Sequence, residues 1–90
     1  MKFEWDDQKA ASNLLKHGIA FDDAAGVFSD SMALTFPDPD HSVGEIRLLT
    51  FGYSKGGRLL AVIHTERGQN IRIVSARKVT RHERGTYEQS

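Results

Sequence analysis

The sequence predicts an α+β fold: an antiparallel sheet of about four to five strands, two N-terminal helices and a short C-terminal helix. Three observations predict it. Residues 6–18 carry helix start and stop signals around an apolar repeat. Residues 45–77, EIRLLTFGYSKGGRLLAVIHTERGQNIRIVSAR, read as three antiparallel strands joined by two tight turns. Thr80-Arg81-His82-Glu83 has the spacing of a capping box.

Lys2-Phe3-Glu4-Trp5 alternates polar and aromatic residues, which suits a short strand. Asp6 and Asp7 offer an N-cap and a first-turn negative charge for a helix through about His17. Ala10, Ala11, Leu14 and Leu15 form its expected apolar face, and Lys16-His17-Gly18 its C-terminus. A second helix is expected from Asp22 or Asp23 to about Phe28, with Gly26 weakening it by about 1 kcal/mol relative to alanine. Residues 32–36 read as a strand. Pro37-Asp38-Pro39-Asp40 then disfavours regular structure and opens a loop, expected to be mobile, that continues through His41-Ser42-Val43-Gly44. Beyond Ile46 the chain is β-rich, with turns at Ser54-Lys55-Gly56-Gly57 and Arg67-Gly68-Gln69-Asn70. Residues 59–63 are apolar on both faces and therefore central. A final helix is expected to about Glu88.

Ninety residues make one domain, 1–90, with a thin core. The absence of cysteine excludes disulfides and zinc–thiolate sites. No apolar run has the length of a signal peptide or membrane helix, so the expected location is cytoplasmic, with no membrane partner. The formal net charge of zero hides a split: residues 1–45 sum to −6 and residues 46–90 to +6. Seven of the nine cations in the second half are arginines, whose planar fork suits phosphate. Such asymmetry fits nucleic-acid contact; it equally fits two halves that neutralise each other across the fold.

A resemblance can be read from Phe3-Glu4-Trp5-Asp6, Lys9, Asn13, Lys16-His17-Gly18, Phe21, Phe28 and Asp30. It continues through Asp40-His41-Ser42, Glu45-x-Arg47, Gly52, Arg58-Leu59-Leu60, Thr65-x-Arg67, residues 71–77, Glu83 and Tyr87. This pattern resembles the BrnT family, the toxins of type II toxin–antitoxin systems, over nearly the whole chain. Ser31 departs from it, where an Asp-Pro pair is more usual, and this affects a turn. The resemblance implies a RelE-like fold and a ribonuclease that arrests translation by cutting RNA, ribosome-associated mRNA included. It also implies a cognate antitoxin with a ribbon-helix-helix DNA-binding domain, and operator DNA bound only through that complex.

RNA cleavage without a metal or other cofactor needs a base for the 2′-hydroxyl, positive charge on the phosphorane and an acid for the departing 5′-oxygen. Arg67, Arg72 and Arg77, with Arg47 next, are the candidates for the charge; each can instead be a solvated or ion-paired sheet residue. Regular alternation would put Arg72 and Arg77 on opposite faces, so a shared site requires a strand end or bulge between them. Glu45 is the first candidate base, against a simple ion pair with Arg47; His64 is the second, against a structural histidine. Arg58, Ser75, Lys78 and Tyr87 complete the expected RNA-binding set, although packing explains Tyr87 as well, and a capping box explains Glu83. Asp38, Asp40 and His41 raise a metal site, but a solvated loop is the better reading, and no metal is expected. The rival functions are a non-catalytic RNA-binding module and an interaction subunit whose basic sheet docks an acidic protein.

Overall fold

The most apolar segment of the chain is its central strand. The computed structural model describes residues 2–38, 40 and 44–90, so the expectations placed on Pro39, His41, Ser42 and Val43 lie outside the described residues. Strand β4 (Leu59–Arg67) lies third in a five-stranded sheet ordered β1-β5-β4-β3-β2, with β1 at Lys2–Glu4, β2 at Leu34–Pro37, β3 at Leu48–Tyr53 and β5 at Asn70–Lys78. From β5 to β2 all pairs are antiparallel, while β1 runs parallel to β5 through Lys2↔Asn70 to Glu4↔Arg72. Residues 59–65 are all buried, as a strand covered on both faces must be.

Helix α1 spans Asp7–His17 and α2 Phe21–Ala24, followed by a 3₁₀ segment at Ala25–Ser29; α3 spans Arg81–Glu88. The core lies between this N-terminal helical layer and the sheet, where Ile19, Phe21, Ala24 and Val27 pack on Leu60, Val62, Ile73 and Ala76. The expected single helix from Asp22 is therefore shorter, begins one residue earlier behind Ala20, and tightens into 3₁₀ geometry. Asp23 does not cap it: its carboxylate accepts the Gly56 N–H at 2.7 Å and meets Arg58 at 3.1 Å. Gly26 has a packing reason, since a Cβ there would sit 2.6 Å from the Lys55 nitrogen.

Asp6 caps α1, its carboxylate accepting the Gln8 and Lys9 N–H groups, and Gly18 closes the helix at φ 70°. The buried face of α1 corrects the expectation. Leu14 is 51 % exposed and Leu15 91 %, whereas Asn13 is buried. The reason lies in β5, whose outer edge is covered by β1 only as far as Arg72. Asn13 serves the next stretch: its Nδ2 donates to the carbonyls of Ala76 (2.9 Å) and Ile19 (3.0 Å), and its Oδ1 accepts the Ala76 N–H at 3.1 Å. One amide side chain thus acts as a strand neighbour. Asn13→Ala is expected to destabilise the fold by about 2–4 kcal/mol, because it strands a buried N–H and C=O. Leu15→Gln is expected to stay within about 0.5 kcal/mol. Urea unfolding of both variants checks this.

The second strand is Leu34–Pro37 in place of residues 32–36. Pro37 is tolerated because β2 is an edge strand, and the chain continues in register, with the Asp38 N–H donating to the Arg47 carbonyl at 2.9 Å. Gly68, at φ 60°, opens the two-residue turn between β4 and β5. Thr80 and Glu83 form the expected capping box of α3.

Candidate nucleic-acid interface and active site

A bulge in β5 settles which residues share a face. Opposite β4 the register runs Thr65↔Arg72, His64↔Ile73, then Ile63↔Ser75 and Ala61↔Arg77, leaving Val74 without a cross-strand partner. Thr65 and Ala61 lie four apart on an uninterrupted strand and so share a face; their partners Arg72 and Arg77 share it too. This is the condition that alternation alone denied. Core residues Leu60 and Val62 point the other way, so the arginine face is the one opposite the N-terminal helices.

Arg67 follows Thr65 on this face by alternation, and Arg47 does so by its offset of two from Leu49, which pairs with Ile63. Glu45 joins them, with Oε1 3.6 Å from Arg47 Nη2 and Oε2 3.6 Å from Arg67 Nη2. Arg72 meets Glu4 of β1 at 3.7 Å. These are charge contacts too long for hydrogen bonds, partly solvated and individually weak. A cleft of about 370 Å³ opens beside Glu45, lined by Ile46, Leu48, Thr65 and Glu66.

Arg77 stands farther along the same face, about 13 Å from Arg72 by strand rise. Its guanidinium donates to both Glu83 oxygens, at 2.7 and 2.9 Å. That bidentate bond, reinforced by the charges of Glu83 and Asp38, raises the Arg77 pKa above its ordinary value. Glu83 is held low by the same bond, so both groups stay charged. Glu83 therefore serves twice, as the capping acid and as the clamp on Arg77.

His64 is the main correction. It is 3 % exposed and on the helix-facing side, edge-on to the Phe28 ring with centroids 4.8 Å apart. Its Nε2 lies 2.7 Å from the Thr50 hydroxyl, which in turn shares a 2.8 Å hydrogen bond with Thr35. Its Nδ1 is buried with no hydrogen-bond partner among the described residues, and burial pushes the pKa down to about 4. This imidazole is a framework group out of reach of a phosphate on the arginine face.

The remaining expected residues divide between scaffold and a second surface. The Tyr87 hydroxyl donates to Asp30 Oδ2 at 2.6 Å, and this bond to the carboxylate raises its pKa to about 12. Asp30 also accepts the N–H groups of Tyr53 and Met32. Burial works against its charge, but these three bonds outweigh it and hold the carboxyl below its ordinary range. Tyr87 thus fastens α3 across the end of β3. Ser75 donates to Asn13 Oδ1 at 3.3 Å. Arg58 pairs with Asp23 and, with Lys78, borders a cleft of about 400 Å³ with Tyr53 and Arg84 at the far end of the sheet. The acid–arginine pairs also fulfil the other reading of the charge split, because Glu4, Asp23 and Glu45 neutralise second-half arginines across the fold. Sequence reasoning missed Glu4, whose partner becomes visible only once β1 pairs with β5. Among the described residues, no three histidine, aspartate or glutamate side chains cluster as metal ligands would.

The α+β domain thus gathers Arg47, Arg67, Arg72 and Arg77 on one sheet face, the kind of charge that phosphodiester chemistry needs. The sequence profile described as ribonuclease toxin, BrnT, of type II toxin–antitoxin system matches residues 5–83. The crystal structure of the Brucella abortus ribonuclease toxin BrnT superposes with a TM-score of 0.69 at 30 % identity, covering 90 % of this chain and 99 % of that one. Among curated proteins no match is found. The chain belongs to the BrnT family of ribonuclease toxins. It is a toxin endoribonuclease whose substrate is RNA and whose partner is an antitoxin. Among the described residues, no helix is long and apolar enough to cross a membrane.

Proposed function

We propose that the arginine face cuts RNA without a metal ion, with Arg47, Arg67 and Arg72 gripping the scissile phosphate and Arg77 an adjoining one. The observation that carries this reading is the β5 bulge, which turns Arg72 and Arg77 to the face that holds Glu45. Glu45, released from its arginines as phosphate takes their charge, accepts the 2′-hydroxyl proton. The 2′-oxygen attacks phosphorus in line, the bond to the 5′-oxygen breaks, and that oxygen takes a proton from water at the open face, leaving a 2′,3′-cyclic phosphate. Arg58, tied to Asp23, and Lys78, opposite Leu60, lie off this face, and Ser75 and Tyr87 serve as supports for the fold.

Following the family resemblance, we also propose a cytoplasmic toxin that acts on mRNA, ribosome-bound mRNA included. Its proposed antitoxin carries a ribbon-helix-helix domain, through which the complex reaches operator DNA. The test is RNA cleavage by purified protein in EDTA, together with growth arrest on induced expression that the antitoxin relieves. Cleavage products in EDTA are expected. Activity lost on chelation and restored by a divalent ion would sink the metal-free mechanism, and RNA bound but left intact would favour a pure binding module.

A further inference from the structure

One face of α1 remains unused by this chemistry. Lys9, Ser12, Lys16 and His17 recur at i, i+3, i+7 and i+8, with Asn13 between them, and so line one side of the helix. Opposite them run the bulged Val74 and its neighbour Ser75, and together they enclose a groove of about 180 Å³. Asn13 is fully engaged in fastening α1 to β5, so it fixes the walls and leaves the cations to define what the groove accepts.

Two further facts single the groove out. Arg47, Arg58, Arg67, Arg72, Arg77 and Arg84 each stand within 4 Å of a carboxylate. Among the described residues, Lys2, Lys9, Lys16, His17, Lys78, Arg81 and His82 stand within 4 Å of none, and of these Lys9, Lys16 and His17 share one groove. The groove also lies close to the arginine face: Ser75 is opposite Ile63 and Arg72 opposite Thr65, two steps or about 7 Å apart along the strand. The Asp6 carboxylate, held low first by the Lys9 N–H, also feels the charges of both Lys9 and Arg72.

We propose that this groove is a second phosphate-binding subsite, in which Lys9, Lys16 and His17 hold the sugar–phosphate backbone of the RNA strand as it leaves the arginine face past Arg72. Lys9 and Lys16 lie about 10 Å apart along the helix axis. That span is long enough for each lysine to meet a different phosphate of the same strand. Ser12 supplies a hydroxyl donor to the phosphate oxygens between them, while Ser75, whose hydroxyl is spent on Asn13, only walls the groove. The subsite reads no base, so it adds affinity and orientation without sequence preference. A purely local role for Lys16 and His17, neutralising the α1 C-terminus, explains neither Lys9 nor the groove.

This proposal rests on the reading that the chain acts on RNA, and its test separates the two. The probe is a 2′-O-methyl oligoribonucleotide, which binds but lacks the attacking hydroxyl, and its Kd is measured against salt concentration. K9Q/K16Q is expected to weaken binding about ten- to thirtyfold at 0.1 M salt. It should also flatten the log–log salt slope by about 1.4, two phosphate contacts at about 0.7 each. K9R/K16R should retain the wild-type slope, and K55Q, on the β3–β4 turn, should leave both quantities unchanged. Melting curves of all three confirm the fold. A K9Q/K16Q slope equal to wild type, while Arg72→Ala still weakens binding, overturns the subsite and spares the arginine face. Wild-type protein that does not bind the probe overturns both. Loss of antitoxin binding with unchanged RNA binding assigns the groove to the antitoxin and overturns the proposal.

Discussion

Arg72→Ala is expected to lower RNA cleavage by about 10²–10³-fold while the protein stays folded. A guanidinium aimed at charge that develops on the phosphorane is worth that much when it is pre-positioned. Arg72 is so placed, since β1 holds Glu4 beside it and β4 holds Thr65 opposite. The structural cost of losing it is small, because the Glu4 pair is a partly exposed contact at 3.7 Å, worth about 0–1 kcal/mol. Activity and stability should therefore separate. Arg72→Lys should restore part of the rate, since a point charge replaces the fork without its second donor. Initial rates on a defined RNA, beside urea unfolding of the same samples, make the comparison. A variant that cleaves within about threefold of wild type would remove Arg72 from the site.

The second large effect is acid sensitivity without catalytic involvement of His64. Its folded pKa of about 4 lies below the ordinary 6.5, because burial disfavours the imidazolium. Between these values the unfolded chain binds more protons, so stability falls as pH drops from about 6.5 towards 4 and is flat above. The separation corresponds to a loss on the order of 3 kcal/mol, a large share of what a domain this small possesses. Asp23, Asp30 and Glu83 are held low by their hydrogen bonds, so their contributions are lost only as pH falls through the carboxylate range and below. The interval from pH 6.5 to 4.5 accordingly reports on His64. His64→Phe should flatten the stability profile there and cleave RNA at pH 7.5 at nearly the wild-type rate per folded molecule. A loss of about 10²-fold or more would instead return the imidazole to proton transfer.

Local signals explain most of what the sequence revealed. Asp6 and Gly18 bound α1, Thr80 and Glu83 begin α3, and the unbroken apolar run at 59–63 marks the central strand. Each such feature is decided within a few residues. The site depended on features that are not local. Between Arg72 and Arg77 stand Ile73, Val74, Ser75 and Ala76, with no glycine or proline to announce a bulge. The shared face could be stated only as a condition on the strand. His64 ends an apolar run both as a buried group and as a candidate base, and only the packing of Phe28 and Thr50 separates the two. Leu14 and Leu15 misled because apolar periodicity assumes that a helix is held by its side-chain oil. Here it is held by an amide.

That amide has a consequence for association between molecules. A strand edge with free N–H and C=O groups is a template on which another chain can pair. Beyond Arg72 the outer edge of β5 would be such a template, and Asn13 occupies the Ala76 N–H and C=O. Its side chain works as a plug as well as a fastener. Variants at position 13 should therefore lose solubility along with stability, as a frayed α1 uncovers an edge open to a second copy of the chain.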